Sequence, residues 1–290
     1  MKTDVKDEIT AQIMKMIEAS IADGSDWVKP FRSLGGQPHN PTTGKDYRGM
    51  NAFWLGMLGQ SAVAGYGQWK DAGWQVQAKT KAITICLPMF KKDKVTGEQK
   101  MIGFRGGKVF SSNDVLNIET GEKWVNPEQP TVDLTTRVEN ADQYLANLGA
   151  DLIHTGEGVA CYNPGSDQIT MPHRELFVAT SSSTATENYY STSCHEHAHW
   201  TDHKSRLDRL ELKNKRGYAF EELIAELSAV FLCNQLGISG SPRDDHAQYL
   251  GGWLSALDSD TDYLFKAASE AQKAVDWMDK QQNADVAKAA

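Results

Sequence analysis

One short segment, His195-Glu196-His197-Ala198-His199, has the HExxH spacing of a metal site. On a helix, residues four apart lie on one face, so His195 and His199 can direct imidazole nitrogens to one Zn²⁺ ion. Glu196 then lies beside the water that such a metal activates and can accept its proton. The segment predicts a metal-dependent hydrolase. The plain alternative is a solvated helix with incidental histidines.

A second pair of ionisable residues, Glu222 and Glu226, lies four apart in an otherwise apolar stretch. Catalytic zinc sites use three protein ligands and keep one position open, so one of these carboxylates is expected to complete the site. We predict Glu222 as the third ligand and Glu226 as the hydrogen-bond partner of a ligand histidine, with the reverse assignment as the alternative. Tyr218 and His203 are candidates for stabilising the transition state.

Other groups near this pattern have alternative interpretations. His203 also suits a cap or an ion pair near the helix end. His154 and His173 flank a predicted hairpin and are alternative ligands. Cys194 and His197 fall on other faces of the helix, which favours packing roles. The strand near Gln168–Met171 can present an edge to an extended peptide substrate.

The charge is distributed unevenly along the chain. The net charge is −8, but residues 27–108 hold 13 basic and 4 acidic residues. Aromatic residues are interleaved with these cations, which is typical of proteins that stack single-stranded bases and bind phosphates. The alternative is that the aromatics form a core and the lysines a solvated face. The predicted DNA-binding residues are Trp27, Lys29, Phe31, Arg32, Tyr47, Arg48, Asn51, Trp74, Lys79 and Lys81.

Length and composition limit the remaining classes. A chain of 290 residues favours two domains, predicted as 1–125 and 139–290 with a linker at 126–138. No apolar run reaches the ~20 residues of a membrane span, so no membrane partner is expected. The four cysteines are widely spaced and the first residues are charged, which favours a reducing cytoplasm over secretion.

The elements that must position these residues follow from hydrophobic spacing and turn signals. A capping box at Thr184 and Glu187 predicts a helix running to about His203, and Gly237 ends a second helix over 218–236. Together with predicted strands, this indicates an α+β fold in both halves. The other predicted helices are 4–21, 51–60, 139–149, 243–257 and 261–281, and the predicted strands are 74–90, 100–110, 159–162 and 168–171.

Several segments in both halves resemble the ArdC antirestriction family of conjugative plasmids. The N-terminal segments are Trp27-Val28-Lys29-Pro30-Phe31, Pro38-His39-Asn40-Pro41-Thr42-Thr43-Gly44, Tyr47-Arg48-Gly49-Met50-Asn51 and Val109-Phe110. The C-terminal segments are Tyr189-Tyr190-Ser191-Thr192, the HExxH with Trp200-Thr201, Arg206-Leu207-Asp208-Arg209, and Glu221 to Leu227. They occur in the family's order along nearly the whole chain. One departure is His197, where the family usually has an apolar residue.

The resemblance implies a single-stranded-DNA-binding domain fused to a zincin-like metallopeptidase domain with an HExxH helix. It also implies that the protein shields incoming plasmid DNA from host restriction, with a host restriction component as a candidate protein substrate. The expected cofactor is Zn²⁺, with another divalent metal such as Mn²⁺ as the alternative. Two other functions stay open: a protein that coats single-stranded DNA around a structural or vestigial metal site, and, less favoured, a metal-dependent nuclease.

Overall fold

The computed structural model describes residues 4–22, 36–94, 96–125, 134–180, 183–209, 212, 216–238, 256–257 and 260–282. Helices and small sheets are mixed in both halves of the chain, which confirms the α+β class expected from the sequence. None of the helices within these ranges has both the length and the apolar character that crossing a membrane requires.

The N-terminal half is built around a long antiparallel ribbon. Strands β5 and β6 form the ribbon, and β3 extends it into a sheet of order β3-β6-β5. Two further antiparallel pairs, β1 with β2 and β4 with β7, lie outside this sheet. The elements in order are α1 (Val5–Ala22), β1 (His39–Asn40), β2 (Lys45–Asp46), α2 (Gly49–Met57), β3 (Val63–Ala64), α3 (Tyr66–Asp71), β4 (Trp74–Val76), β5 (Ile83–Lys92), β6 (Gln99–Ser111) and β7 (Val115–Asn117).

Within the described part of the C-terminal half, long helices combine with a three-stranded sheet of order β8-β10-β9. The central strand β10 runs parallel to β8 and antiparallel to β9. The elements are α4 (Leu134–Ala146), β8 (Asp151–Thr155), β9 (Cys161–Asn163), β10 (Gln168–Pro172), α5 (Ala185–Trp200), α6 (Tyr218–Leu236) and α7 (Asp262–Gln281). The expectation that Gln168–Met171 presents a free edge is wrong, because both sides of that strand are hydrogen-bonded to neighbours.

Local signals explain how the two site helices begin and end. At the start of α5, the Thr184 hydroxyl accepts a hydrogen bond from the backbone N–H of Glu187, while the Glu187 carboxylate accepts one from the backbone N–H of Thr184. This reciprocal pair satisfies two backbone donors that the helix leaves open. Helix α6 ends at Gly237, whose φ of 68° is the left-handed conformation that glycine adopts without strain.

The structure corrects several predicted elements. The strand predicted over 74–90 is divided into β4 and β5 by a turn in which Lys79 has a φ of 68°. Helix α3 and strand β8 were not expected. Helix α4 begins at Leu134, so the last residues of the predicted linker are helical, while the domain boundaries themselves stay a prediction. The helix predicted over 243–257 lies almost wholly outside the described residues.

A continuous hydrophobic core joins the two halves. It contains buried residues of α1 and α2 together with residues of α4 to α7. Helix α7, late in the chain, packs against the N-terminal elements: the Lys6 ammonium lies 2.6 Å from the Asp262 carboxylate, and the Phe104 and Phe265 rings are 5.9 Å apart. The backbone N–H of Gly49 also donates to the Gln272 side chain at 2.8 Å. Helix α7 therefore connects the C-terminal core to the half that carries the basic segment.

Candidate functional site

Helix α5 brings His195 and His199 together on one buried face. Their Nε2 atoms are 3.1 Å apart, and His195 is only 3% exposed. The spacing of four residues places one imidazole a helical turn above the other, as the sequence predicts. Two nitrogens that could each hold a metal ion therefore point at the same place.

Helix α6 supplies a carboxylate to the same point. The Oε2 atom of Glu222 lies 3.5 Å from the Nε2 atom of His195, and its Oε1 atom lies 3.4 Å from the Nε2 atom of His199. The donor atoms of these three residues all lie within 4.8 Å of one another. A tetrahedral ion with ligand bonds of about 2.1 Å spaces its donors about 3.4 Å apart, so the three residues fit a divalent cation such as Zn²⁺.

Glu226 lies one turn further along α6, behind the cluster. Its Oε2 atom is 3.0 Å from the Nδ1 atom of His195, the nitrogen that faces away from the convergence point. A hydrogen bond there fixes the ring orientation and leaves Nε2 as the nitrogen available to a metal. The geometry therefore favours Glu222 as the ligand and Glu226 as the partner of His195.

A buried ion pair supports the second histidine, and sequence reasoning assigned it no role. The Arg209 guanidinium donates to both carboxylate oxygens of Glu221, at 2.5 and 3.2 Å, and also to the backbone carbonyl of Ala198 and the Thr201 hydroxyl. Glu221 lies 3.7 Å from the Nδ1 atom of His199. One feature of the sequence does indicate such a pair. Glu221 is a third carboxylate in an apolar helix, and a buried carboxylate needs a cation.

The ionisation of the cluster follows from these contacts. Burial opposes protonation of His195, but hydrogen bonds to Glu222 and Glu226 outweigh it and raise the pKa of His195 to about 10. Burial likewise opposes the charge on His199, whose pKa is nevertheless raised by Glu221 and Glu222. Burial alone would raise the pKa of Glu222, yet its two histidine partners hold it well below the ordinary value. The cluster therefore favours a positive charge at its centre.

The other residues of the HExxH helix separate into different environments. Glu196 is buried next to His195 in the chain. The Nδ1 atom of His197 is 2.7 Å from the Ser193 carbonyl, and burial lowers the pKa of His197 to about 4. A hydrogen bond with Cys233, together with burial, raises the pKa of Cys194. His197 and Cys194 therefore lie within the packed interior, consistent with the packing roles that the sequence predicts for them.

The two candidates for transition-state stabilisation differ in position. Tyr218 is the first residue of α6, four before Glu222, and is 53% exposed. Helix α5 ends at Trp200, short of the predicted end at His203. The Nδ1 atom of His203 lies 2.8 Å from the Ser205 hydroxyl, in the loop beyond the helix. His203 is therefore not a continuation of the metal-facing side of α5.

The alternative ligands lie elsewhere. The rings of His154 and His173 stack with their centroids 6.2 Å apart, and the Nε2 atom of His154 is 2.9 Å from the Tyr189 hydroxyl. Among the described residues, the group that could hold a metal is His195, His199 and Glu222. The geometry thus gives no support to His154 or His173 as ligands.

The predicted DNA-binding residues divide into three sets. Trp27, Lys29, Phe31 and Arg32 lie outside the described residues. Asn51 has a structural role where the sequence predicts a DNA contact: its amide donates to the Cys86 carbonyl at 2.7 Å and accepts from the Cys86 N–H at 2.9 Å.

Tyr47 and Arg48 are also engaged within the fold. The Tyr47 hydroxyl donates to the Val63 carbonyl at 3.2 Å, and Arg48 pairs with Asp276 of α7. Their contacts join the loop before α2 to the rest of the protein. These two residues therefore have partners already in this structure, although the Arg48 side chain is still 57% exposed.

Trp74, Lys79 and Lys81 lie near an open groove. Trp74 is half-buried against a small core cluster, whereas both lysines are exposed. The groove has a volume of about 890 Å³ and is open to solvent. Its lining includes Tyr66, Gln75, Lys79 and Phe110. An aromatic ring, an amide and a cation thus border one concave surface in the basic half.

Comparison with known proteins identifies the family. Residues 3–113 match the model of the N-terminal domain of the anti-restriction factor ArdC, and residues 139–270 match that of a zincin-like metallopeptidase. The crystal structure of the ArdC antirestriction protein from plasmid R388, in metal-free form, is 34% identical, with a TM-score of 0.73 over 97% of this chain and 98% of that one. The chain belongs to the ArdC antirestriction family. The two-domain fold inferred from the sequence resemblance is thereby confirmed.

Other relatives extend the comparison. The Mn(II)-bound crystal structure of the same ArdC protein is 31% identical, with a TM-score of 0.72 over 97% of this chain and 99% of that one. The uncharacterised protein y4eC of Sinorhizobium fredii is 32% identical over 97% of this chain and 93% of its own length. A DNA primase TraC of Escherichia coli is 33% identical over 93% of this chain, which spans only 20% of that protein.

The partner role of Glu226 leads to a first prediction. Glu226→Gln keeps the size of the side chain but removes the charge that orients His195, so the affinity for Zn²⁺ should fall by roughly 10- to 100-fold. A competition titration against a chromogenic chelator measures this. Glu139→Gln, an exposed change of the same charge on α4, is the matched control and should bind as the wild type does. An unchanged affinity in Glu226→Gln would remove its assigned role.

The raised pKa of His195 leads to a second prediction, for the protein freed of metal with a chelator. The folded pKa of about 10 exceeds the ordinary 6.5, so this group's stabilisation is complete below pH 6.5 and is lost as the pH rises towards 10. One such proton accounts for a slope of up to about 1.4 kcal/mol per pH unit. Denaturant unfolding of wild type and His195→Gln across this range should show a steeper decline in the wild type, because the variant retains His199, whose pKa is also raised, but lacks the His195 proton. Parallel curves would contradict the assignment.

Proposed function

We propose that this protein protects incoming DNA from host restriction by binding single-stranded DNA non-specifically and by acting as a zinc-dependent peptidase. Membership of the ArdC family supports the antirestriction role. The single observation that carries the peptidase is the convergence of His195, His199 and Glu222 on one point. The proposed site of action is the cytoplasm, and the proposed protein substrate is a host restriction component.

The chemistry of the peptidase follows from the donor set. A divalent cation bound by the two histidines and Glu222 would polarise a peptide carbonyl and make water a nucleophile near neutral pH. The Glu196 carboxylate would accept the proton from the attacking water and pass it to the leaving amine. The Tyr218 hydroxyl would donate to the developing oxyanion, with His203 as the other candidate for this role. Glu226 and Glu221 would hold the two imidazoles in orientation.

Single-stranded DNA is the proposed ligand of the N-terminal half. Cations outnumber carboxylates 13 to 4 over residues 27–108, and the groove beside Lys79 has Tyr66 and Phe110 in its wall. Stacking on exposed rings together with phosphate contacts by lysines binds single strands without reading their sequence. The same half provides no described element typical of groove-reading proteins, such as a recognition helix in a helix-turn-helix.

The alternative of a pure DNA-coating protein differs in one measurable respect. In that case the metal cluster would be structural, and Glu196 would not be needed. A nuclease is less favoured, because the cluster among the described residues has one carboxylate and two imidazoles, whereas two-metal nucleases use carboxylate-rich pairs of ions.

A third prediction separates peptidase action from coating. Glu196→Gln should retain metal and single-stranded DNA binding but lose protection of transferred DNA in a restricting host. It should also lose cleavage of host restriction components, by at least roughly 100-fold in rate. Glu139→Gln is the control with the same loss of charge. Full protection by Glu196→Gln would contradict the proteolytic mechanism and favour the coating function.

A fourth prediction concerns the DNA ligand. The protein should bind a single strand more tightly than a duplex of equal length, because duplex bases are not free to stack on side chains. The logarithm of the affinity should fall linearly with the logarithm of the salt concentration, as phosphate contacts release counterions. Fluorescence anisotropy with labelled oligonucleotides measures both. Equal affinity for the duplex would contradict the stacking mechanism.

A further inference from the structure

The outer end of the β5–β6 ribbon extends away from the core. Near its base, Ile85, Cys86 and Val109 are buried. Beyond Met89, by contrast, every described residue from Phe90 to Ile102 is exposed. We call residues 90–102 the ribbon arm. Cross-strand pairing holds the backbone of residues 90–92 against that of 99–101, while the side chains of the described residues of the arm remain in solvent.

Three large apolar side chains lie on this arm. Phe90 is 56% exposed, Met101 51% and Ile102 57%. Phe90 and Met101 are directly opposite each other across the ribbon, so they share a face, and Ile102 is the extra residue of a bulge in the register between Met89 and Phe90. Single exposed apolar residues need no explanation, but three adjacent ones indicate a binding surface.

The charges on the arm determine which kind of partner fits. Lys91 lies directly opposite Lys100, and like charges at such positions destabilise a sheet. Lys92 and Lys94 bring the arm to four cations, against the carboxylates Asp93 and Glu98 at the turn. The Asp93 carboxylate accepts the Thr96 N–H and shapes the turn. A polyanion bound here would offset the repulsion between Lys91 and Lys100.

We propose that the ribbon arm is a contact site for single-stranded DNA, in which a base stacks on Phe90 beside Lys92, while Lys91 and Lys100 on the opposite face bind phosphates as the strand passes around the ribbon edge. This rests on the single-stranded DNA binding proposed above and assigns it to residues outside the groove at Lys79. An apolar protein partner fits less well, because the arm carries four lysines against two carboxylates and such a partner would offer no counter-charge. A strand with phosphates on both sides of each base satisfies both features.

The test compares matched variants in the full-length protein. Phe90→Leu removes the ring but keeps an apolar side chain, and Phe90→Trp keeps a stacking face. Lys91→Gln/Lys100→Gln removes two cations, and Lys204→Gln/Lys273→Gln removes two exposed cations of the C-terminal half as the control. Affinities for a labelled mixed-sequence oligonucleotide and for its duplex are measured over a range of salt concentrations. Thermal melting confirms that each variant is folded.

We expect Phe90→Leu to weaken single-strand binding by roughly 5- to 150-fold, the effect of losing one stacked base, while Phe90→Trp binds as the wild type does. Lys91→Gln/Lys100→Gln should lower the salt slope by about 1.4, since each phosphate contact with a single strand contributes about 0.7. The control pair should leave the slope unchanged.

The possible results distinguish failure of the arm assignment from failure of the proposed single-stranded DNA binding on which it rests. If the wild type prefers single strands but Phe90→Leu and Lys91→Gln/Lys100→Gln bind as it does, the arm assignment is overturned and the proposed function stands. If the wild type shows no preference for single strands, both are overturned. If Phe90→Leu abolishes self-association but leaves DNA binding unchanged, the arm assignment is likewise overturned. The exposed apolar residues of the arm would then be assigned to contacts between copies of the chain.

Discussion

The burial of charge between α5 and α6 is the constraint that organises the C-terminal half. Glu221, Glu222 and Glu226 are each less than 5% exposed, in a helix whose other residues are mostly apolar. An isolated carboxylate in such surroundings would cost several kcal/mol, so each must meet a cation or a donor. The two histidines of α5 and the guanidinium of Arg209 meet this need. The requirement fixes the rotation of both helices about their axes and therefore the position of the metal-facing nitrogens.

The same contacts explain which parts of the site could be predicted. His195, His199, Glu222 and Glu226 follow from a period of four residues on helices with clear boundaries, and that information is local. The support from Arg209 could not be predicted in this way, because it depends on a loop returning to the end of α5.

Long-range contacts also explain what local sequence patterns do not show. Asn51 stays a predicted DNA contact, but its hydrogen bonds to Cys86, 35 positions away, give it a structural role that its local sequence did not indicate. Strand β8 was not predicted from the sequence, because its residues are all exposed or half-buried and so lack a clear inward-facing pattern, and because its parallel partner β10 lies 17 positions further on. The composition shows that the N-terminal half is basic and aromatic. The spacing of these residues along the chain does not show which of their side chains face solvent.

The packing of α7 determines how DNA contacts and the metal centre can influence each other. Phe265 of α7 contacts Phe104 on the ribbon, and the Tyr263 ring lies 4.8 Å from that of Phe220 on α6, two residues before Glu222. Phe265, Tyr263 and Phe220 belong to one continuous core. Energetic coupling between two sites requires an element between them that has two discrete arrangements. Helix α7 is packed on both sides within this core, and no second arrangement of it is seen. If the proposed DNA binding and peptidase activity both hold, this packing favours DNA binding that raises the local concentration of the peptidase near its substrate over DNA binding that rearranges the candidate ligands.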